Sequence, residues 1–329
     1  MKKVLITGGA GFIGYHLAEA LRLDSDNQIT IVDSLLRGKH DQEFAALLDS
    51  QSVKFYNLDL TDINSLKNIW QYYDEVYHFA AVIGVKHCLH DPAKVLTVNL
   101  KSTLNIVELA KANNCKKLMF SSTCETYAGG FELGIVRVPT PETVPLSIAD
   151  INNPRWSYAV SKIAGEQIVA FNAPNHYKYS IVRFHNIIGP RMGYAHVIPE
   201  ILKRIHNQEN PFHIYSHDQT RSFCYIEDCL KEVVACMRSE SADNQIIHIG
   251  NNSEEVTIEK LVSKIFNWVG YDVPTIAAPS PPGSVKRRCP DITKMRTLTG
   301  VVPSVTLDNA LAKIYEWYWP RIKRGEIWE

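Results

Sequence analysis

The sequence predicts an α/β fold, a doubly wound parallel sheet followed by a smaller α/β segment, and three observations carry that expectation. Short apolar runs recur along the first two thirds of the chain. Helical patterns with one apolar face lie between most of them. A cluster of glycines ends the first run, where Val4, Leu5 and Ile6 give way to Gly8, Gly9, Gly11 and Gly14. Strands alternating with helices form parallel sheets covered on both faces.

The expected strands are Val4–Thr7, Ile29–Val32, Val53–Tyr56, Glu75–Phe79, Leu118–Ser121, Ser180–Phe184 and Ile246–Ile249. Ile13, Leu17 and Leu21 share one helix face, as do Leu100, Leu104 and Val107. After about residue 185 the texture changes and loop signals thicken, with Pro190, Pro199, Pro211, Pro279, Pro281 and Pro282. Helices persist there. Thr257 reads as the N-cap of a helix running to Val269 and closed by Gly270, and a last helix is expected from about Leu307 to Tyr318. The division is therefore residues 1–185 and 186–329, with the strand near 245–250 returning to the first unit.

Composition narrows the function. The 329 residues are 45% hydrophobic, enough for a substantial core, and Lys+Arg 35 balances Asp+Glu 35. A neutral chain without a basic run is a poor nucleic-acid binder. No apolar stretch is long enough for a membrane span, and the chain starts directly on a strand rather than on a signal peptide. The seven Cys are scattered without CxxC spacing, which points to buried reduced thiols in a cytoplasm and gives no metal site.

The glycines have a chemical reading. In the spacing Gly8-x-x-Gly11-x-x-Gly14, the first allows a tight turn, the second lets a pyrophosphate approach the backbone, and the third lets the helix sit close on the sheet. The helix start at Phe12 and Ile13 then offers N–H groups and a partial positive charge. Asp33 ends the second strand, where a carboxylate accepts from adenosine ribose hydroxyls and repels a 2′-phosphate. That favours NAD over NADP, with Arg37 and Lys39 nearby as a counterweight. Asp59 and Leu60, after the third strand, are placed to meet the adenine, though a turn residue explains Asp59 nearly as well.

Tyr158 and Lys162 are four residues apart at the start of a helical pattern and share its face. By itself such a pair is an ordinary surface feature. Its setting differs: TGGAGFIG at 7–14, DLTD at 59–62, HFAA at 78–81, Asn99, SSTCETY at 121–127, YAVSK at 158–162, RFHNIIGPR at 183–191 and TRSFCYIED at 220–228 follow in order along the whole chain. The sequence resembles the extended short-chain dehydrogenase/reductase family, in its branch of NAD-dependent nucleotide-sugar epimerases, dehydratases and decarboxylases.

The resemblance implies a Rossmann-type fold, NAD as cofactor and a nucleotide-diphosphate sugar as substrate. Tyr158 becomes the base that takes a proton from the sugar as hydride leaves C4. Free tyrosine has a pKa of about 10, so work near pH 7 needs a shift of about 3 units, roughly 4 kcal/mol. Lys162 and the cationic nicotinamide favour the phenolate, and Lys162 also holds the nicotinamide ribose. Thr123 is implied as the hydroxyl partner at the same sugar oxygen. Ala80 and Ala81 let the cofactor lie over the sheet edge, and Asn99 stands on the cofactor side as the family's structural asparagine. His78 reads as packing.

For the substrate, the resemblance implies Asn186 and Arg221 at the diphosphate, Arg287 or Arg288 as a second clamp, Arg191 in the same motif as Asn186, and Tyr215 at the nucleotide base. It also implies a homodimer through helices near 97–112 and 158–171.

Once C4 is a ketone, hydride return to the other face, loss of water across C5–C6, or loss of CO2 all remain open. Thr123-Cys124-Glu125 resembles the Thr-x-Glu of dehydratases and decarboxylases, with Glu125 acting at C5 or orienting a uronate, but Cys124 departs from the usual Asp or Ser. The reading leans to dehydration or decarboxylation. A 4-epimerase, a net C4 dehydrogenase or reductase, and a catalytically silent NAD-binding sensor are the alternatives.

Overall fold

The computed structural model describes residues 1–280 and 284–326. Pro281 and Pro282, two of the prolines in the later part of the chain, lie outside the described residues.

The main sheet is built from β1 (Lys2–Thr7), β2 (Asn27–Asp33), β3 (Val53–Asn57), β4 (Glu75–His78), β5 (Lys117–Thr123), β6 (Lys178–Phe184) and β7 (Gln245–Ile249). Among the described residues these seven strands form one sheet in the order β3-β2-β1-β4-β5-β6-β7, all parallel. Alternation along each strand builds two cores. Val4, Ile6, Ile29, Ile31, Met119 and Val182 face one layer, with Leu17 and Leu21 of the helix Phe12–Leu21. Leu5, Val32, Val76, Leu118, Phe120 and Ile181 face the other, with Ile106 and Val107 of the helix Pro92–Ala112 and Val169 of the helix Ser157–Asn172.

The chain after Phe184 does not form a separate core. β7 pairs with β6 along the register Gln245↔Ser180 to Ile249↔Phe184. Ile201, Leu261 and Ile314, from three later helices, belong to the same apolar cluster as Val4 and Ile6. The later part adds small sheets of its own, one of them ordered Glu255–Thr257, Thr220–Ser222, Arg287–Arg288.

Two helix ends follow their local chemistry. Thr257 accepts from Lys260 N at 3.1 Å, and Gly270 closes that helix at φ 69°. The last helix runs Leu307–Lys323, past the expected end and through Pro320. Proline removes one backbone donor there, but Tyr318 and Ile322 stay buried and Arg321 donates to the Trp317 carbonyl at 2.9 Å. Packing on the core outweighs the missing bond.

β1 is the point where the strand order reverses, with β2 and β3 on one side and β4 on the other. Open parallel sheets bind ligands in the crevice beyond the carboxyl ends of the strands at such a point. No helix among the described residues is long and apolar enough to cross a membrane. All seven Cys are free and buried.

Candidate active site

A cavity of about 500 Å³ opens at the carboxyl ends of β1, β2, β4, β5 and β6. Gly8, Gly11, Phe12, Ile13, Gly14, Asp33, Asp59, Leu60, Ala80 and Ala81 line it, and so do Thr123, Glu125, Tyr158, Lys162, Asn186, Arg191 and Arg288. Residues from widely separated segments thus converge on one cleft.

Its glycine end is shaped by backbone. Gly8 turns the chain at φ 72°, and a Cβ there meets Ala80 N at 2.7 Å. A Cβ on Gly14 meets the Gly8 carbonyl oxygen at 2.3 Å, so only glycine lets the helix approach this closely. Gly11 is the N-cap of the helix Phe12–Leu21 and carries no side chain to cap it, which leaves the first-turn N–H groups to a ligand anion. The Asp33 carboxylate accepts from Ala10 N at 3.1 Å and Leu35 N at 2.8 Å. Burial raises its pKa, and those two backbone bonds and Arg37 oppose the rise. A cradle that a Cβ would fill, beside a fixed carboxylate, fits an adenosine dinucleotide.

Asn99 sits behind this wall. Its side chain donates to Val82 O at 3.1 Å and to Ser161 Oγ at 3.0 Å, and accepts from Val82 N at 2.7 Å. It thereby ties the Ala80–Val82 segment to the Tyr158 helix from outside the cavity. His78 bridges Thr7 Oγ1 (2.8 Å) and Thr103 Oγ1 (3.2 Å), and burial lowers its pKa to about 3, so it is neutral scaffolding.

Tyr158 and Lys162 face the same space, with Lys162 Nζ 5.8 Å from the Tyr158 ring centroid. Thr123, at the end of β5, accepts from Glu125 N at 3.3 Å and lines the cavity with Tyr158. Burial first, then Glu125 and Cys124, raise the Tyr158 pKa, with Thr123 and Arg37 opposing. Lys162 is 2% exposed and donates to Ser121 Oγ at 3.3 Å. Burial lowers its pKa to about 7, against the pull of Glu166. The protein's own groups therefore keep the phenol protonated, and a further positive charge is needed before it draws a proton. A bound oxidised nicotinamide would supply that charge and would serve as a hydride acceptor.

Two features that fix this helix have weak sequence signals. A Cβ on Gly165 meets Phe120 at 2.4 Å, so the glycine seats the helix directly on β5. Glu166 takes both Arg183 Nε and Nη2 at 2.8 Å and Ser122 Oγ at 2.5 Å, all buried. A glycine inside an apolar helical pattern marks such a contact; nothing local marks the Glu166–Arg183 pair.

The other end of the cleft is built from charge. Arg288 Nη1 donates to Glu125 Oε1 at 2.8 Å, with the Arg288 side chain 11% and the Glu125 side chain 25% exposed. Burial favours the neutral carboxyl, but Arg288, Arg155 and Arg221 together hold Glu125 below the usual carboxylate range. Arg221 feels its cationic neighbours in turn, and burial followed by Arg288 lowers its pKa to about 10. Burial keeps Cys124, between Thr123 and Glu125, a neutral thiol. The charges of three guanidinium groups thus act on one carboxylate, and their excess is positive.

Strand geometry separates the adjacent arginines. Arg288 pairs with Arg221 and Arg287 with Thr220 in the small sheet, and successive residues on a strand face opposite ways. Arg287 turns outward to Glu255, at 2.8 Å and half exposed. Arg287, Arg221 and Tyr215 do not line the cavity; Arg221 adjoins the corner through its charge, and Tyr215 is 52% exposed with Arg204 5.5 Å from its ring. Arg191 lines the wall, but its guanidinium is bound to Asp41 (2.5 Å) and Glu43 (3.0 Å) and stacks on Tyr15 at 4.0 Å. Asn186, at φ 42°, donates to the Ser222 carbonyl at 3.0 Å. Among the described residues no cluster of three or more metal-ligating side chains forms.

Residues 4–250 match the model of the NAD dependent epimerase/dehydratase family. The chain belongs to that family. It is 30% identical to a UDP-N-acetyl-alpha-D-glucosaminuronate decarboxylase of Bacillus cytotoxicus, over 96% of this chain and 98% of that protein. It is 28% identical to a UDP-glucuronate 4-epimerase of Thermodesulfobacterium geofontis, over 95% of each. Among solved structures, a mutant UDP-glucuronic acid 4-epimerase of Bacillus cereus, in complex with UDP-4-deoxy-4-fluoro-glucuronic acid and NAD, superposes with a TM-score of 0.85 at 26% identity, covering 98% of this chain and 99% of that one. The chain is an NAD-dependent enzyme of the Rossmann type, and the glycine turn and Asp33 form a cradle that fits the cofactor.

Proposed function

We propose that this protein decarboxylates a UDP-linked hexuronate through transient oxidation at C4. The observation that carries the reading is the Arg288–Glu125 pair in the cleft, whose carboxylate also feels the charges of Arg155 and Arg221. A substrate bringing both a diphosphate and a sugar carboxylate neutralises the positive excess. Arginine meets both groups bidentately. The similarity to a uronate decarboxylase over nearly the whole chain supports the same choice.

Tyr158 takes the C4 hydroxyl proton as hydride departs, and Thr123 holds the same oxygen. Lys162 stabilises the phenolate from beneath. The C4 ketone makes the C5 carboxylate that of a β-keto acid, so the C5–CO2 bond breaks with its electron pair flowing into the C4 carbonyl. A proton then reaches C5, hydride returns to C4, and Tyr158 gives back its proton. Glu125 remains ionised and therefore is not the acid. Cys124, a neutral thiol, stands where a dehydratase of this family carries its acid, which disfavours loss of water.

Epimerisation of the same uronate at C4 is the second reading, and the similarity to UDP-glucuronate 4-epimerases favours it. Incubation with UDP-hexuronates, read by product mass and CO2 release, separates them. Loss of CO2 supports the proposal; an isomer of unchanged mass, or loss of water, overturns it. A homodimer would use the outer faces of Pro92–Ala112 and Ser157–Asn172, where Leu104 and Phe171 stand 49% and 79% exposed. A monomer mass in solution would refute it.

A further inference from the structure

Most charged side chains of the cleft have partners in the fold. Asp33 holds two backbone N–H groups, Lys162 holds Ser121, Arg191 holds Asp41 and Glu43, and Arg288 holds Glu125. Arg37 is different. It follows β2 in the loop that leads to the helix Gln42–Leu48, lines the cavity and is only partly exposed. Among the described residues it makes no hydrogen bond and no ion pair. A guanidinium withdrawn from water without a partner is costly, and a bound anion removes that cost.

Its position says which anion. Nη2 of Arg37 lies 4.0 Å from where a Cβ on Gly193 would stand, so the side chain reaches from the β2 side across to the loop before the helix Val197–His206. Its charge acts on Asp33 at one end of the cleft and on Tyr158 at the other. A dinucleotide with its adenosine ribose at Asp33 and its nicotinamide at Tyr158 has its pyrophosphate between the two. The glycine turn offers N–H donors to that pyrophosphate from the sheet side.

We propose that Arg37 is a cofactor-binding residue whose guanidinium closes over the dinucleotide pyrophosphate from the side opposite the glycine turn. Asp33 repels a 2′-phosphate, so the site is one for the bridging phosphates of NAD. The Arg191 bonds to Asp41 and Glu43 tether the far end of the Arg37 loop to the later part of the chain. The inference concerns how the cofactor is held and is independent of the fate of the C4 ketone.

The test is calorimetric binding of NAD, ADP-ribose, NADP and UDP to the full chain stripped of cofactor, in wild type, Arg37→Met and Arg37→Lys. Arg37→Met should weaken NAD and ADP-ribose about tenfold to a hundredfold, the range of lost charge-assisted bonds, and leave UDP unchanged. Arg37→Lys should lie between. Because Arg37 makes no bond within the fold, neither variant should melt lower than the wild type. If Arg37→Met melts lower, Arg37→Lys decides on the same criteria. Unchanged affinity for NAD and ADP-ribose overturns the proposal. So does a loss confined to NADP, which would make Arg37 a reader of the 2′-phosphate, or one confined to UDP, which would assign it to the substrate diphosphate.

Discussion

The two ends of the cleft are made of different material. At the cofactor end the decisive groups are backbone: a positive-φ turn at Gly8, a helix start without a side-chain cap, and a contact at Gly14 too close for any Cβ. At the substrate end they are side-chain charges brought together from Thr123–Glu125, the segment before Tyr158, and two short paired strands. The first end is specified by neighbours in sequence. The second is specified by long-range pairing.

The largest effect should come from the group both ends share. Tyr158→Phe should lower turnover about a thousandfold or more, within the range of lost general acid–base catalysis, while NAD and UDP-sugar titrations remain near wild type. Retained turnover would remove Tyr158 from the chemistry and dissolve the distinction between the ends.

Acid should treat the two ends alike. His78 lies under the cofactor end, and His248 stands beside His185, which bonds Tyr127 at 2.6 Å under the substrate end. Burial first lowers His78 and His248 to about 3. Their folded values lie below the unfolded value, so the unfolded chain binds protons first. The stability is fully present above about pH 6.5 and is lost as pH falls toward about 3. At pH 5 each should cost about 2 kcal/mol relative to pH 7, read by chemical denaturation at the two pH values. Equal stability at both would contradict the neutral, buried assignment.

Gly14→Ala should sharpen the contrast. Its methyl group meets the Gly8 carbonyl, and such overpacking costs about 1–3 kcal/mol. NAD binding should weaken while UDP binding to the other end persists; equal loss of both would show that the ends are not separable. The smallest effect belongs to Arg287→Met. Its bond to Glu255 is an exposed ion pair, worth at most about 1 kcal/mol, and turnover should not change. A large loss of turnover would return Arg287 to the substrate site.

The sequence is most readable where structure is local. Apolar runs placed every strand of the main sheet, and the glycine spacing located the turn that lines the cleft. Thr257 and Gly270 bounded their helix because capping depends on adjacent residues. What escaped is what tertiary contact decides. Glu125 and Arg288 are each visible as candidates, but their bond joins residues 163 positions apart. The opposite facing of Arg287 and Arg288 depends on strand pairing that no motif marks. Arg191 looks like a substrate ligand in its motif, yet Asp41 and Glu43 already engage its guanidinium. The last helix is expected to end near Tyr318, and burial of Tyr318 and Ile322 carries it through Pro320.

The most direct measurement is the affinity of UDP-hexuronate relative to UDP-hexose, in wild type and in Arg288→Met, by calorimetry on the NAD-loaded protein. A charged corner built for a sugar carboxylate predicts a preference of about tenfold or more for the uronate, collapsing in the variant. Equal affinity for both sugars in the wild type, or a preference that survives Arg288→Met, would contradict it.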